Sequence, residues 1–187
     1  MEIYKNVGPE DQKYLTIANS ETIYEGAFTL DLGAGAGQGT VDAAADPVYG
    51  LAVGLRDANG IPLGSGSADF DGTFTQNPNG NTYVAAADNL TDKQIQVQVK
   101  PVRNGDVYTG LLNADAGTTT GSDVPGYYIS VDAAVPTQID EASASTSKQH
   151  FRLTDNGYGD NSALHPIRGG NWVLFQVVEV QDYNPQP

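Results

Sequence analysis

Residues 94–112 read QIQVQVKPVRNGDVYTGLL. Ile95, Val97 and Val99 alternate with Gln94, Gln96, Gln98 and Lys100, the period-two pattern of a strand with one buried face. Asn104-Gly105 follows, and this pair supplies the positive φ angles of a tight hairpin turn. The stretch therefore predicts a hairpin from Gln96–Arg103 into Asp106–Leu112. Pro101 has no N–H to give to a ladder, which places it at a strand end or sheet edge.

The same grammar extends in both directions. Phe28, Leu30 and Leu32 alternate with Ala27, Thr29 and Asp31, and Tyr127, Ile129 and Val131 share a face opposite Tyr128 and Ser130. Val48–Leu55 reads as a strand in which Gly50 and Gly54 mark a bulge or a close backbone approach. Asn59-Gly60 is a second tight-turn signal. Trp172–Gln181 is the most hydrophobic strand, apolar on both faces near its start, and belongs in the middle of a sheet. Residues 33–39 (GAGAGQG) read as a flexible connection, and Asp140–Ser147 as a polar loop. Only Asp88–Gln94 offers a helix, of about two turns.

Composition supports the same class. The chain has 187 residues, 23 of them acidic and 9 basic, for a net charge of −14. Six of the acids are Glu and 17 are Asp, and Asp favours turns where Glu favours helices. With 22 Gly and 10 Pro, this describes many strands joined by many turns. We expect a mainly β protein: a single β-sandwich or barrel-like domain over residues 14–187, loosely divided near 76–81, with long loops and an extended N-terminal arm, residues 1–13.

Several function classes are excluded or disfavoured. The acidity argues against gripping nucleic-acid phosphates or an anionic membrane. Without Cys there is no disulfide scaffold, thiol nucleophile or Cys-ligated metal. No apolar run approaches the roughly 20 residues of a membrane helix, and the first residues have no signal-peptide character.

Chemical motifs are few. Asp69-Phe70-Asp71-Gly72-Thr73 matches the DxDGT nucleophile motif of haloacid-dehalogenase-type phosphatases. That chemistry requires a buried parallel strand in an α/β fold, so a turn between short strands is the better reading. Neither Asp69-Phe70-Asp71-Gly72 nor Asp57-Ala58-Asn59-Gly60 continues with the spacing of a calcium loop or is closed by a Glu. Asp88 with Asp92 and Asp155 with Asp160 are partial ligand sets against the six to eight oxygens calcium needs. His150 and His165 form no HExxH pair, no GxSxG is present, and GAGAGQG fits neither the dinucleotide nor the P-loop spacing. Asn89-Leu90-Thr91 is a glycosylation sequon. We therefore expect no catalytic set, cofactor or metal. Tyr127, Phe151 and Trp172 are core candidates. Tyr4, Tyr14, Tyr24 and Tyr49 are the candidate partner-binding residues, with Tyr83, Tyr158 and Tyr183 also read as surface positions.

Ile17–Phe28 (IANSETIYEGAF) and Ala44–Ala52 (AADPVYGLA) resemble two signatures of tailed-bacteriophage head decoration, or cement, proteins. The first pairs a small polar turn with an apolar–aromatic pair and a Gly-Ala step into a strand; the second is an Ala-Ala-Asp turn followed by a Gly-x-Ala strand. The resemblance covers about the first third of the chain. It implies a structural virion protein, made in the host cytoplasm, that binds the major capsid protein on the capsid exterior as a homotrimer and braces capsomer joints against packaged DNA. The alternative from another class is a glycan-binding β-sandwich module of adhesin type, and a metal-dependent hydrolase using Asp69 and Asp71 is a third.

Overall fold

The computed structural model describes residues 12–32, 35–38, 48–78, 80–111, 128–131, 137–145, 151–155 and 172–178. Among these the protein is all-β, with no helix. They form two compact units, one ending at Pro101 and the other beginning at Val102. The boundary thus differs from the expected division near 76–81, a stretch that only connects two neighbouring strands.

The first unit holds β1 (Lys13–Thr16), β2 (Thr22–Tyr24), β3 (Phe28–Asp31), β4 (Ala36–Gly37), β5 (Gly50–Arg56), β6 (Thr73–Thr75), β7 (Thr82–Val84) and β8 (Gln96–Pro101). Five of them form a curled sheet in the order β1-β8-β5-β3-β4. Its two outer strands are bridged: Ile17 pairs in parallel with Ala36, and the Ala18 N–H donates to the Ala36 carbonyl at 3.0 Å. With this seam the sheet is curled as a half-barrel. Gly35 makes the approach possible, because at φ +134° a Cβ there would lie 2.8 Å from the Ala18 nitrogen and 2.9 Å from the Thr16 carbonyl oxygen. Gly50 serves the β5–β8 contact, where a Cβ would lie 2.6 Å from the Lys100 carbonyl oxygen.

The alternation in 94–100 is real: Ile95, Val97 and Val99 are fully buried, in one cluster with Ile17, Ile23, Leu55 and Tyr83. Between Ala52 and Gly54 the β5–β8 register shifts, leaving Val53 as the extra residue. That bulge lets Ala52 and Leu55 both face the core although they stand three apart. A separate three-stranded sheet runs in the order β2-β7-β6.

The second unit holds β9 (Val107–Leu111), β10 (Tyr128–Val131), β11 (Ile139–Ser145), β12 (Phe151–Asp155) and β13 (Trp172–Val177), in the order β11-β10-β12-β13-β9. Ile129, Phe151, Leu153, Phe175 and Val177 are its buried core, with Phe151 edge-on to Phe175 at 5.1 Å. β13 lies between β12 and β9, the interior place its hydrophobicity predicts.

Five local expectations are corrected. The Asn104-Gly105 turn forms, with the Asp106 N–H donating to the Arg103 carbonyl at 3.0 Å, but it closes no hairpin. β8 pairs with β1 and β5, and β9 pairs with β13. The turn instead lies at the start of the second unit and leads into Val107–Leu111. Asp88–Gln94 is a run of turns, too short and too polar to sustain a helix. Asp140–Ser145 lies within β11, its ladder with β10 irregular, and Ala36–Gly37 in the glycine-rich connection forms β4. Finally, the arm does not reach residue 13: Lys13 pairs with Val99 in β1, and the Gln12 side chain meets that of Gln98.

Candidate interaction surfaces

The four candidate tyrosines part company in the structure. Tyr4 lies outside the described residues. Tyr49 is 6% exposed and belongs to the core cluster, so its expected surface role is corrected; its strand faces inward where it enters β5. Tyr83, also read as a surface residue, is fully buried in the inner row of the small sheet. Tyr14 and Tyr24 stand on outward faces.

Tyr24 belongs to the β2-β7-β6 sheet, whose register fixes two outward rows. Thr22, Val84 and Thr73 form one, and Tyr24, Thr82 and Thr75 the other. The inner row of Ile23, Tyr83 and Phe74 packs on the core. No residue of the outward rows is charged, and Val84 is 40% exposed. The open edge of β2 is covered by Gln38, which is 2% exposed. Its side-chain amide donates to the Tyr24 carbonyl at 2.9 Å, and its Oε1 accepts from the Tyr24 N–H. A side chain thus stands in for a neighbouring strand.

Tyr14 is 47% exposed on β1. The Arg56 guanidinium lies over its ring, 5.3 Å from the centroid, a cation–π contact.

The DxDGT stretch is irregular chain that bends at Gly72 and enters β6 at Thr73, a strand antiparallel to β7. Asp69 is in an exposed ion pair with Lys93 at 3.1 Å, which is worth little in water; hydrogen bonding to Asp69, reinforced by its charge, raises the Lys93 pKa. The organising carboxylate is instead Asp57, at 1% exposure, which opens the Asp57-Ala58-Asn59-Gly60 turn. It accepts N–H bonds from Asn59 (2.9 Å), Ile61 (2.8 Å) and Asp69 (3.1 Å). Burial pushes its pKa up, but the backbone donors of Ile61, Asp69, Asn59 and Gly60 together outweigh this and hold it below the ordinary value. The sequence signal available was Asp two residues before Asn-Gly, a turn-organising pattern. Among the described residues no group of three or more His, Asp or Glu is placed to hold a metal ion. His150, His165 and Asp160 lie outside the described residues.

The sequon asparagine is not a surface residue. Asn89 is 1% exposed. Its Nδ2 donates to the carbonyls of Ile17 (2.7 Å) and Ile95 (3.2 Å), while its Oδ1 accepts from the Ile95 N–H (2.9 Å). It ties the end of β1 to the approach to β8, and glycosylation of the folded chain there is sterically blocked.

No family model matches this chain, and no match was found among curated proteins or among solved structures.

Proposed function

We propose that this chain is a structural virion protein that binds the outer surface of a tailed-bacteriophage capsid, contacts the major capsid protein, and stabilises capsomer joints against internal DNA pressure. The observation that carries the reading is the uncharged outward face of β2-β7-β6, in a chain of net charge −14. β-Branched side chains on a paired sheet lose little freedom on docking. Within the resembling segment Ile17–Phe28, Ser20 turns at φ +62° and β2 presents Tyr24 on this face.

Six side chains are far less than the roughly 800 Å² per partner of a stable interface. A weak contact suffices on a shell, because a trimer seated at one site makes its second and third contacts at high effective concentration. Residues 1–11 would act as the arm that adds a strand to a neighbour's sheet, around a β-sandwich body.

The four hydroxyls of Thr22, Thr73, Thr75 and Thr82 beside Tyr24 favour one second reading, a glycan-binding module. The test is co-sedimentation of the full chain with capsids assembled from the major capsid gene neighbouring its own. Wild type is expected to bind, and Val84→Lys to reduce occupancy at least about tenfold by burying a charge. Unchanged occupancy in Val84→Lys, or no binding by wild type, overturns the proposal. Selective glycan-array binding abolished by Tyr24→Ala assigns the face to the second reading.

A further inference from the structure

A different outward face lies on β1, β8 and β5. Register places Tyr14, Gln98 and Gly54 in one row and Thr16, Gln96 and Arg56 in the next, with Lys100 beyond them. The rows between these, Leu15 with Val97 and Leu55, and Val99 with Ala52, face the core. The bulge turns Val53 outward at 41% exposure, close to the 47% of Tyr14. None of the described residues on this face is acidic, although acids outnumber bases 23 to 9 in the chain.

We infer that this face is where a second copy of the chain docks, bringing its acidic surface against Arg56 and Lys100. Two copies of charge −14 repel wherever acid meets acid. A face with two cations and no carboxylate reverses that sign locally, so a second copy is selected in this orientation over others. Arg56 is laid across β8 onto the Tyr14 ring, which restrains it before binding and leaves its N–H fork for a carboxylate. Arg and Tyr are the residue types that dominate interface energetics, and Val53 supplies apolar area beside them. Acidic matches exist on the chain itself: Asp88 and Asp92 are exposed on the turns before β8. The contact joins unlike surfaces, and such heterologous contacts form rings where the rotation between copies closes and open filaments where it does not. This inference deepens the self-association on which the proposed shell binding rests, and gives it a face separate from β2-β7-β6.

Sedimentation velocity on the full chain at tens of micromolar and fixed ionic strength tests it, with circular dichroism confirming each variant folded. Wild type is expected to be oligomeric. Arg56→Glu and Lys100→Glu should each weaken association at least about tenfold through like-charge juxtaposition. Arg103→Glu, the same reversal in the exposed Asn104 turn, should leave it unchanged. Should Arg56→Glu misfold, Val53→Asp at the exposed bulge replaces it with the same expectation. A monomeric wild type, or association equally strong in the Arg56 or Val53 variant and Lys100→Glu, overturns the inference, as does an equal loss in Arg103→Glu. Capsid co-sedimentation is read separately: a wild type that is oligomeric through this face but binds no capsid overturns only the shell proposal, and a monomeric wild type whose capsid binding is lost in Val84→Lys overturns only this inference.

Discussion

Asn89 offers a sharp test of how the first unit is held. Its side chain is 1% exposed and satisfied only by backbone: two carbonyls take its N–H groups and one N–H takes its oxygen. Asn89→Ala strands the Ile95 N–H in the core and removes the donor to Ile17, while the Ile95 carbonyl keeps the Ile17 N–H at 2.9 Å. A stranded buried donor costs about 1–3 kcal/mol and each lost bond about 1, so the variant should lose about 2–4 kcal/mol. Asn89→Asp is the more discriminating change, since it alters almost no volume. One oxygen keeps the Ile95 N–H, but the other now faces two carbonyl oxygens where an amide stood 2.7 and 3.2 Å away. Only the protonated acid can donate there, so the native pKa of the new carboxyl must rise. A raised native pKa gives stability that is whole below the unfolded value of about 3.9 and falls as pH rises, by about 1.4 kcal/mol per pH unit until the native pKa is passed. Urea unfolding by circular dichroism, taken as the difference from wild type at each pH, measures both effects. An Asn89→Ala loss below about 0.5 kcal/mol, or an Asn89→Asp deficit independent of pH, would refute the clamp.

Two further predictions follow from the first unit. Gly35→Ala puts a Cβ against backbone atoms at 2.8–2.9 Å and φ +134°, so it should cost at least about 2 kcal/mol and raise hydrogen exchange at the Ala18 amide; unchanged protection there would show that the seam does not need glycine. Tyr83, whose hydroxyl donates to the Asp71 carbonyl, has its pKa pushed up to about 12, first by burial and then by the Asp71 charge. Its stabilisation is complete below the ordinary value of 10.0 and is lost as pH climbs toward 12. Tyr83→Phe should flatten that alkaline decline in a pH series of urea midpoints, and an unaltered slope would assign it elsewhere.

What was legible in the sequence was what a local pattern can carry. The alternation of Ile95, Val97 and Val99 settles which side of β8 is buried, because side chains on a strand alternate whatever their partner. Gly50 and Gly54 announced the bulge and the close approach in β5. An abundance of Asp over Glu foretold turns in place of helices. The exposed tyrosines were only half legible: Tyr14 and Tyr49 look alike as residue types, and only packing separates 47% from 6% exposure.

Partner choice lies beyond such patterns. Asn104-Gly105 dictates a tight turn, but a turn does not say which strand will lie beside the next one, and here the two strands it joins enter different sheets. Asp57, Asn89 and Gln38 owe their roles to backbone groups brought from elsewhere, in the case of Asn89 from 72 residues away. The amino-acid sequence by itself determined the mainly β character, the inward face of β8 and the places where the chain turns, since these depend on neighbours along the chain. Tertiary structure alone decided pairing, the Ile17–Ala36 seam and the two non-acidic faces, since each exists only once distant segments are hydrogen-bonded side by side.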